Sequence, residues 1–148
     1  MAHSSVIETL IDLSRQQSEE AAKRLGQAVR LSEQAKEKLD LLTSYREEYV
    51  AQLQSKLRQG LTMADHLNFQ RFIHNLDRAV EQQKQAWTVS QQAVEVERNE
   101  WQLCERKKLS YGTLARRAEE VAQRKENRLE QKRTDEQAAR CRPALNRT

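Results

Sequence analysis

The side chains able to do chemistry are few and scattered. His66 and His74 stand eight residues apart, whereas two histidines that chelate a metal from one helix face stand at i and i+4; both are expected as solvated surface histidines. Cys104 and Cys141 form no Cys-x-x-Cys and have no clustered histidine beside them, which excludes a zinc knuckle and a disulfide framework and leaves two reduced thiols. No histidine is placed to activate Cys104, so it reads as a small buried hydrophobe rather than a nucleophile. Carboxylates abound, but a working acid/base pair needs a dry concave pocket to move its pKa values. The sequence therefore predicts a non-enzyme with no catalytic residue, no metal site and no cofactor.

The elements that must carry these residues follow from composition. Of 148 residues 37% are hydrophobic and 32% charged, with Gly 3, Pro 1 and a mean hydropathy of -0.95, below the ~45–50% apolar share of ordinary globular domains. A sheet or a phosphate-binding loop needs many more turn residues than this. The stock of Ala, Gln, Glu, Lys, Arg and Leu, all strong helix formers, points to an all-α fold. No stretch approaches the ~18 consecutive apolar residues of a membrane span. The start Met1-Ala2-His3-Ser4-Ser5 lacks the basic and apolar regions of a secretory signal, so a cytosolic protein is expected.

Ser5-Val6-Ile7-Glu8 fits a capping box and predicts a helix over 6–58. From Ile7, positions 11, 14, 18, 21, 25, 28, 32, 35, 39, 42, 46, 49 and 53 recur at alternating spacings of four and three, a mostly small or apolar coiled-coil seam with Arg46 as its charged member. Gly60 offers a left-handed cap, and Thr62-Met63-Ala64-Asp65 starts a second helix, expected over 63–138, after a turn at 59–62. Its seam runs through 69, 73, 76, 80, 83, 87, 90, 94, 97, 101, 104, 108 and 111, interrupted by Gln83, Glu97 and Lys108. If the chain folds back near residue 61, facing positions have numbers adding to about 122: Tyr49 meets Ile73, Leu42 meets Val80, Ala28 meets Val94 and Ile11 meets Tyr111. Trp87 then falls opposite Ala35 and Trp101 opposite Ala21, large against small, as close packing requires. The expectation is one long antiparallel two-helix coiled coil, a helical hairpin with an overhanging C-terminal helix.

Two features exceed what such a hairpin needs. Tyr45 lies one shoulder from the seam and Phe72 lies beside Ile73 and Leu76, so Leu42, Tyr45, Tyr49, Phe72, Leu76 and Ala79 are expected to converge on a partly exposed surface suited to docking. Beyond residue 115 the second helix has no partner in the chain. Residues 116–148 hold ten Lys or Arg against six Asp or Glu, so the whole net charge of +4 belongs there. Ion pairs such as Glu120 with Arg124 and Glu130 with Arg133 are expected along it. Pro143 is expected to end any helix and to leave 143–148 disordered.

The segments Ile7-Glu8-Thr9-Leu10-Ile11-Asp12-Leu13, Tyr45-x-x-x-Tyr49, Asn68-Phe69-Gln70-Arg71-Phe72-Ile73 and Leu76-Asp77-Arg78-Ala79-Val80-Glu81-Gln82 occur in this order around a small turn. In them the chain resembles the FliJ family of flagellar type III export proteins over nearly its whole length. The resemblance implies an antiparallel coiled coil similar to the central stalk, the gamma subunit, of rotary ATP synthases. It implies a protein at the cytoplasmic face of the inner membrane that promotes assembly of the export ATPase hexamer and raises its activity, binds the linker of the export-gate protein FlhA and handles export chaperones, with no small-molecule substrate. The family's gate contact maps onto Leu42, Tyr45, Tyr49, Phe72, Leu76 and Ala79, with Lys38 and Gln83 as flanking positions. Its ATPase contact, by analogy with the stalk, falls on the basic end, at Arg116, Arg117, Arg124, Lys125 and Arg128. The alternative is a coiled-coil nucleic-acid-binding or scaffold protein that uses the basic C-terminal helix, although the overhang lacks aromatics to stack bases.

Overall fold

The computed structural model describes the backbone of residues 2–145 and the side-chain surroundings of residues 5–141. Among the described residues there are two helices, α1 (Ala2–Gln59) and α2 (Met63–Leu145), packed together, and no strand. The bend between them is built as its residues dictate. Gly60 takes φ 98°, a left-handed conformation that costs glycine nothing. Thr62 caps α2: its hydroxyl accepts from the Asp65 backbone N–H at 3.3 Å, and its carbonyl accepts from the His66 N–H at 3.0 Å.

Both outer helix ends lie beyond the positions expected. The Ser5 capping box does not start α1, which begins at Ala2; Ser5 is already inside the helix, its carbonyl accepting from the Thr9 hydroxyl at 2.9 Å. Nor does α2 end near 138 or before Pro143, since it runs to Leu145. Of the expected disordered tail, residues 146–148 lie outside the described residues.

The chain forms two compact units, one of residues 19–103 and one of residues 1–18 with 104–148. In the first, the α1 and α2 segments run antiparallel: Arg24 pairs with Glu97 at 3.3 Å, Gln83 Nε2 donates to the Ala35 carbonyl at 3.0 Å, and Arg46 pairs with Asp77. The numbers in these pairs add to 121, 118 and 123, around the 122 that the position of the turn requires. The buried apolar residues here are Ala21, Ala28, Leu39 and Val80, with Ala21 fully enclosed. In the second unit Ser14 and Ser18 are the buried positions among the described residues; the Ser14 hydroxyl donates to the Ile11 carbonyl at 2.8 Å and the Ser18 hydroxyl to the Glu105 carboxylate. A seam of alanine and serine lets two backbones approach closely and satisfies its few polar groups locally.

Every seam position expected on either helix is buried or half-buried, so the alternating period of four and three describes the contact line throughout. At the next layer the Ala35 carbonyl accepts from Gln83, and Trp87 sits beneath the Lys36 ammonium, 4.6 Å from the ring centroid, lining a groove of about 410 Å³ with Leu39 and Thr43. The Gln83 amide must satisfy its hydrogen bonds when it enters the seam, and a carbonyl of the facing helix supplies one.

Because Ala21 has no free volume around it, Ala21→Phe is expected to destabilise the fold by ~1–3 kcal/mol. In urea titrations its midpoint should fall, while Ala22→Phe, at an exposed neighbour, should leave the midpoint unchanged.

Candidate functional site

The aromatic surface is assembled on the residue 19–103 unit from both helices. Tyr49, a seam residue of α1, stacks on Phe72 of α2 with ring centroids 4.3 Å apart and planes inclined by 26°. It also meets Phe69 at 6.0 Å and 54°, a tilted arrangement in which one ring edge faces the other's π-cloud. The Lys56 ammonium lies 5.0 Å from the Phe69 centroid on the same side of the cluster. Tyr45 is 48% exposed and Phe72 43% exposed, while Leu42, Tyr49, Leu76 and Ala79 are half-buried at the seam and its margin. The Arg46–Asp77 ion pair joins the helices at the residue next to Tyr45, with both side chains partly open to solvent.

Two of the six residues expected to converge are in direct ring contact, and their roles differ. Tyr45 stands outside the seam and has no aromatic partner among the described residues. Phe72 shares itself between solvent and the Tyr49 ring. Sequence reasoning missed Phe69 and Lys56 as members of the cluster, although Phe69 was placed on the seam and lies one turn before Phe72 at i, i+3 spacing, which puts both rings on one side of α2.

The basic residues Arg116, Arg117, Arg124, Lys125 and Arg128 are all exposed, as is every residue from 116 to 141. The ion pairs expected there, Glu120 with Arg124 and Glu130 with Arg133, are not formed. Instead Gln123 donates to Asn127 at 3.2 Å and Gln131 to Asp135 at 3.3 Å. Two long side chains held together in water gain little over their hydrated state, so the cations of this stretch stay available to another charged surface.

The residues set aside as chemically inert need one correction. His74 is exposed, but His66 is half-buried, with its Nδ1 enclosed and without a hydrogen-bond partner. It occupies the first turn of α2, where its backbone N–H donates to the Thr62 carbonyl. Cys104 is half-buried and Cys141 exposed, both as free thiols. Among the described residues no three His, Cys, Asp or Glu side chains gather as a metal site requires, and no helix is long and apolar enough to cross a membrane.

With that geometry in view, the comparisons with known proteins agree closely. The family model described as "Flagellar FliJ protein" matches residues 3–142. The Flagellar FliJ protein of Escherichia coli strain K12 is 36% identical over 141 residues, covering 95% of this chain and 96% of that one. That of Salmonella typhi is 34% identical over the same shares. Among solved structures, one described as a YscO homologue from Chlamydia trachomatis superimposes with a TM-score of 0.72 at 14% identity, covering 100% of this chain and 96% of that chain, a likeness of fold.

Tyr45→Ala is expected to leave the helical circular-dichroism signal and the urea midpoint within ~0.5 kcal/mol of the parent. Phe72→Ala should cost more, ~0.5–1.5 kcal/mol, through loss of the ring stacked on Tyr49.

Proposed function

The chain belongs to the flagellar FliJ family, and from that membership we propose that it is a non-catalytic component of the flagellar protein export apparatus, in which its aromatic surface binds the linker of the export gate FlhA and its basic helix engages the export ATPase. The observation that carries this reading is the exposure of Tyr45 and Phe72 beside a seam that closes without them. Exposed aromatics rigidly mounted on two helices supply large contact area at small entropic cost, the usual make-up of an interface anchor. Leu42, Tyr49, Leu76 and Ala79 frame them as half-buried neighbours.

Engagement of the ATPase rests on the solvated cations at Arg116, Arg117, Arg124, Lys125 and Arg128, which have no ion-pair partner among the described residues. A helix of this kind contributes contacts and orientation to an assembling ring and no reacting group, so stimulation works by favouring the hexamer. Export chaperones complete the partners of this reading, and its place is the cytoplasmic face of the inner membrane. The same cations suit a nucleic acid, and the competing reading is decided by partner.

Titrating a purified FlhA linker fragment onto the full chain tests the gate assignment. Tyr45→Ala should weaken binding by about 5- to 30-fold, the equivalent of ~1–2 kcal/mol, with folding intact. Equal losses of binding and stability would mean that the tyrosine only packs. Truncation after Ala118 should abolish stimulation of the ATPase and spare gate binding. A truncated chain that stimulates fully, together with duplex DNA retardation by the intact chain at physiological salt, would favour the nucleic-acid reading.

A further inference from the structure

The bend between α1 and α2 exposes apolar side chains that neither the seam nor the aromatic cluster uses. Met63 is 73% exposed, the most open large apolar side chain among the described residues, and Leu57 and Leu67, on either side of Gly60–Thr62, are about half exposed. Met63, Leu67 and Arg71 follow one another at four-residue spacing and so share one face of α2; Leu67 and Arg71 line the same surface groove. The last turn of α1 carries Lys56 and Arg58. Between residues 53 and 71 these three cations face a single acidic side chain, Asp65.

Apolar side chains at the bend, with cations beside Leu57 and one turn behind Leu67, match the make-up of an anionic lipid surface, where acyl chains lie beneath a sheet of phosphates. From Met63 to Arg71 the helix rises ~12 Å, comparable with the ~5–10 Å to which interfacial helices sink into the headgroup and acyl boundary. We propose that this bend docks on an anionic lipid surface, with Leu57, Met63 and Leu67 entering the boundary and Lys56, Arg58 and Arg71 meeting the phosphates. Charge complementarity favours lipid as the occupant: three cations stand against one carboxylate around the bend, and a fluid surface can cover side chains on both helices of a convex bend without a matching cleft. Three apolar side chains alone hold a membrane weakly, so the docking is reversible and depends on both signals together. The inference stands apart from the gate reading: Lys56 borders the aromatic cluster, and none of the other five residues belongs to it.

Co-sedimentation of the full chain with large vesicles tests it. Vesicles of phosphatidylcholine with about 30% phosphatidylglycerol are expected to retain the protein, and pure phosphatidylcholine vesicles are not. Met63→Asp with Leu67→Asp, both at exposed positions, should lower retention at least about fivefold with an unchanged helical signal. Truncation after Ala118 should keep most of it. Absence of binding to the anionic vesicles would overturn the proposal, as would a double aspartate variant that binds like the parent, or binding lost only on truncation, which would assign it to the basic overhang. It would equally be overturned by a double variant that keeps its vesicle binding and loses FlhA linker affinity, since the bend would then be a protein contact.

Discussion

Two helices that meet along a single line can place only one side chain per layer there, and each polar group admitted to the line must find a partner at that spot. This constraint governs the molecule. Ala21 and Ala28 in one unit and Ser14 and Ser18 in the other keep the line narrow. Its larger polar members are each answered: Arg46 by Asp77, Glu97 by Arg24, Gln83 by the Ala35 carbonyl, and Lys108 by Glu105 one turn earlier at 3.6 Å. Such pairs add little stability when partly exposed. Their effect is on register, because sliding one helix by a turn would strand several of these groups without partners and bring charge against alanine.

A contact this narrow leaves everything beside it in water. Side chains one shoulder from the line are therefore free for other work, and their types then become informative. Tyr45 on one unit and the cations of residues 116–141 on the other are free of the seam for the same reason, that no second layer covers them, and Phe72 is partly so. Tyr49 marks the boundary between the two uses, since it belongs to the seam and supports Phe72 from beneath.

The seam, the Gly60 turn and the Thr62 cap were legible because each is a local rule: a period, a left-handed residue, a hydroxyl three residues before the amide that donates to it. The residues adjoining the aromatic surface were legible for the same reason, being displaced from the period. What could not be read was which partner each polar or aromatic seam member takes across the line. Gln83 reaches the Ala35 carbonyl and Trp87 takes the Lys36 ammonium, and no pattern in either helix alone records that. The partners of Arg46 and Glu97 were missed similarly. The enclosure of the His66 Nδ1 likewise follows from no local pattern. On the exposed overhang the reverse applied: spacing allowed the pairs Glu120–Arg124 and Glu130–Arg133, but spacing gives only opportunity where water competes on equal terms.

The central claim is the antiparallel register itself, and disulfide trapping tests it most directly. In a chain with Cys104→Ser and Cys141→Ser, cysteines at Ala28 and Val94 face one another if the layers are joined as described. A disulfide closes only when the two Cα atoms come within about 7 Å. At low protein concentration this pair should oxidise rapidly within one chain, giving a monomer of altered mobility on a non-reducing gel, while Ala28→Cys with Gln91→Cys, at an exposed position of α2, should not. Cross-links formed only between chains, or equal closure of both pairs, would contradict the register and with it the account of which side chains are free.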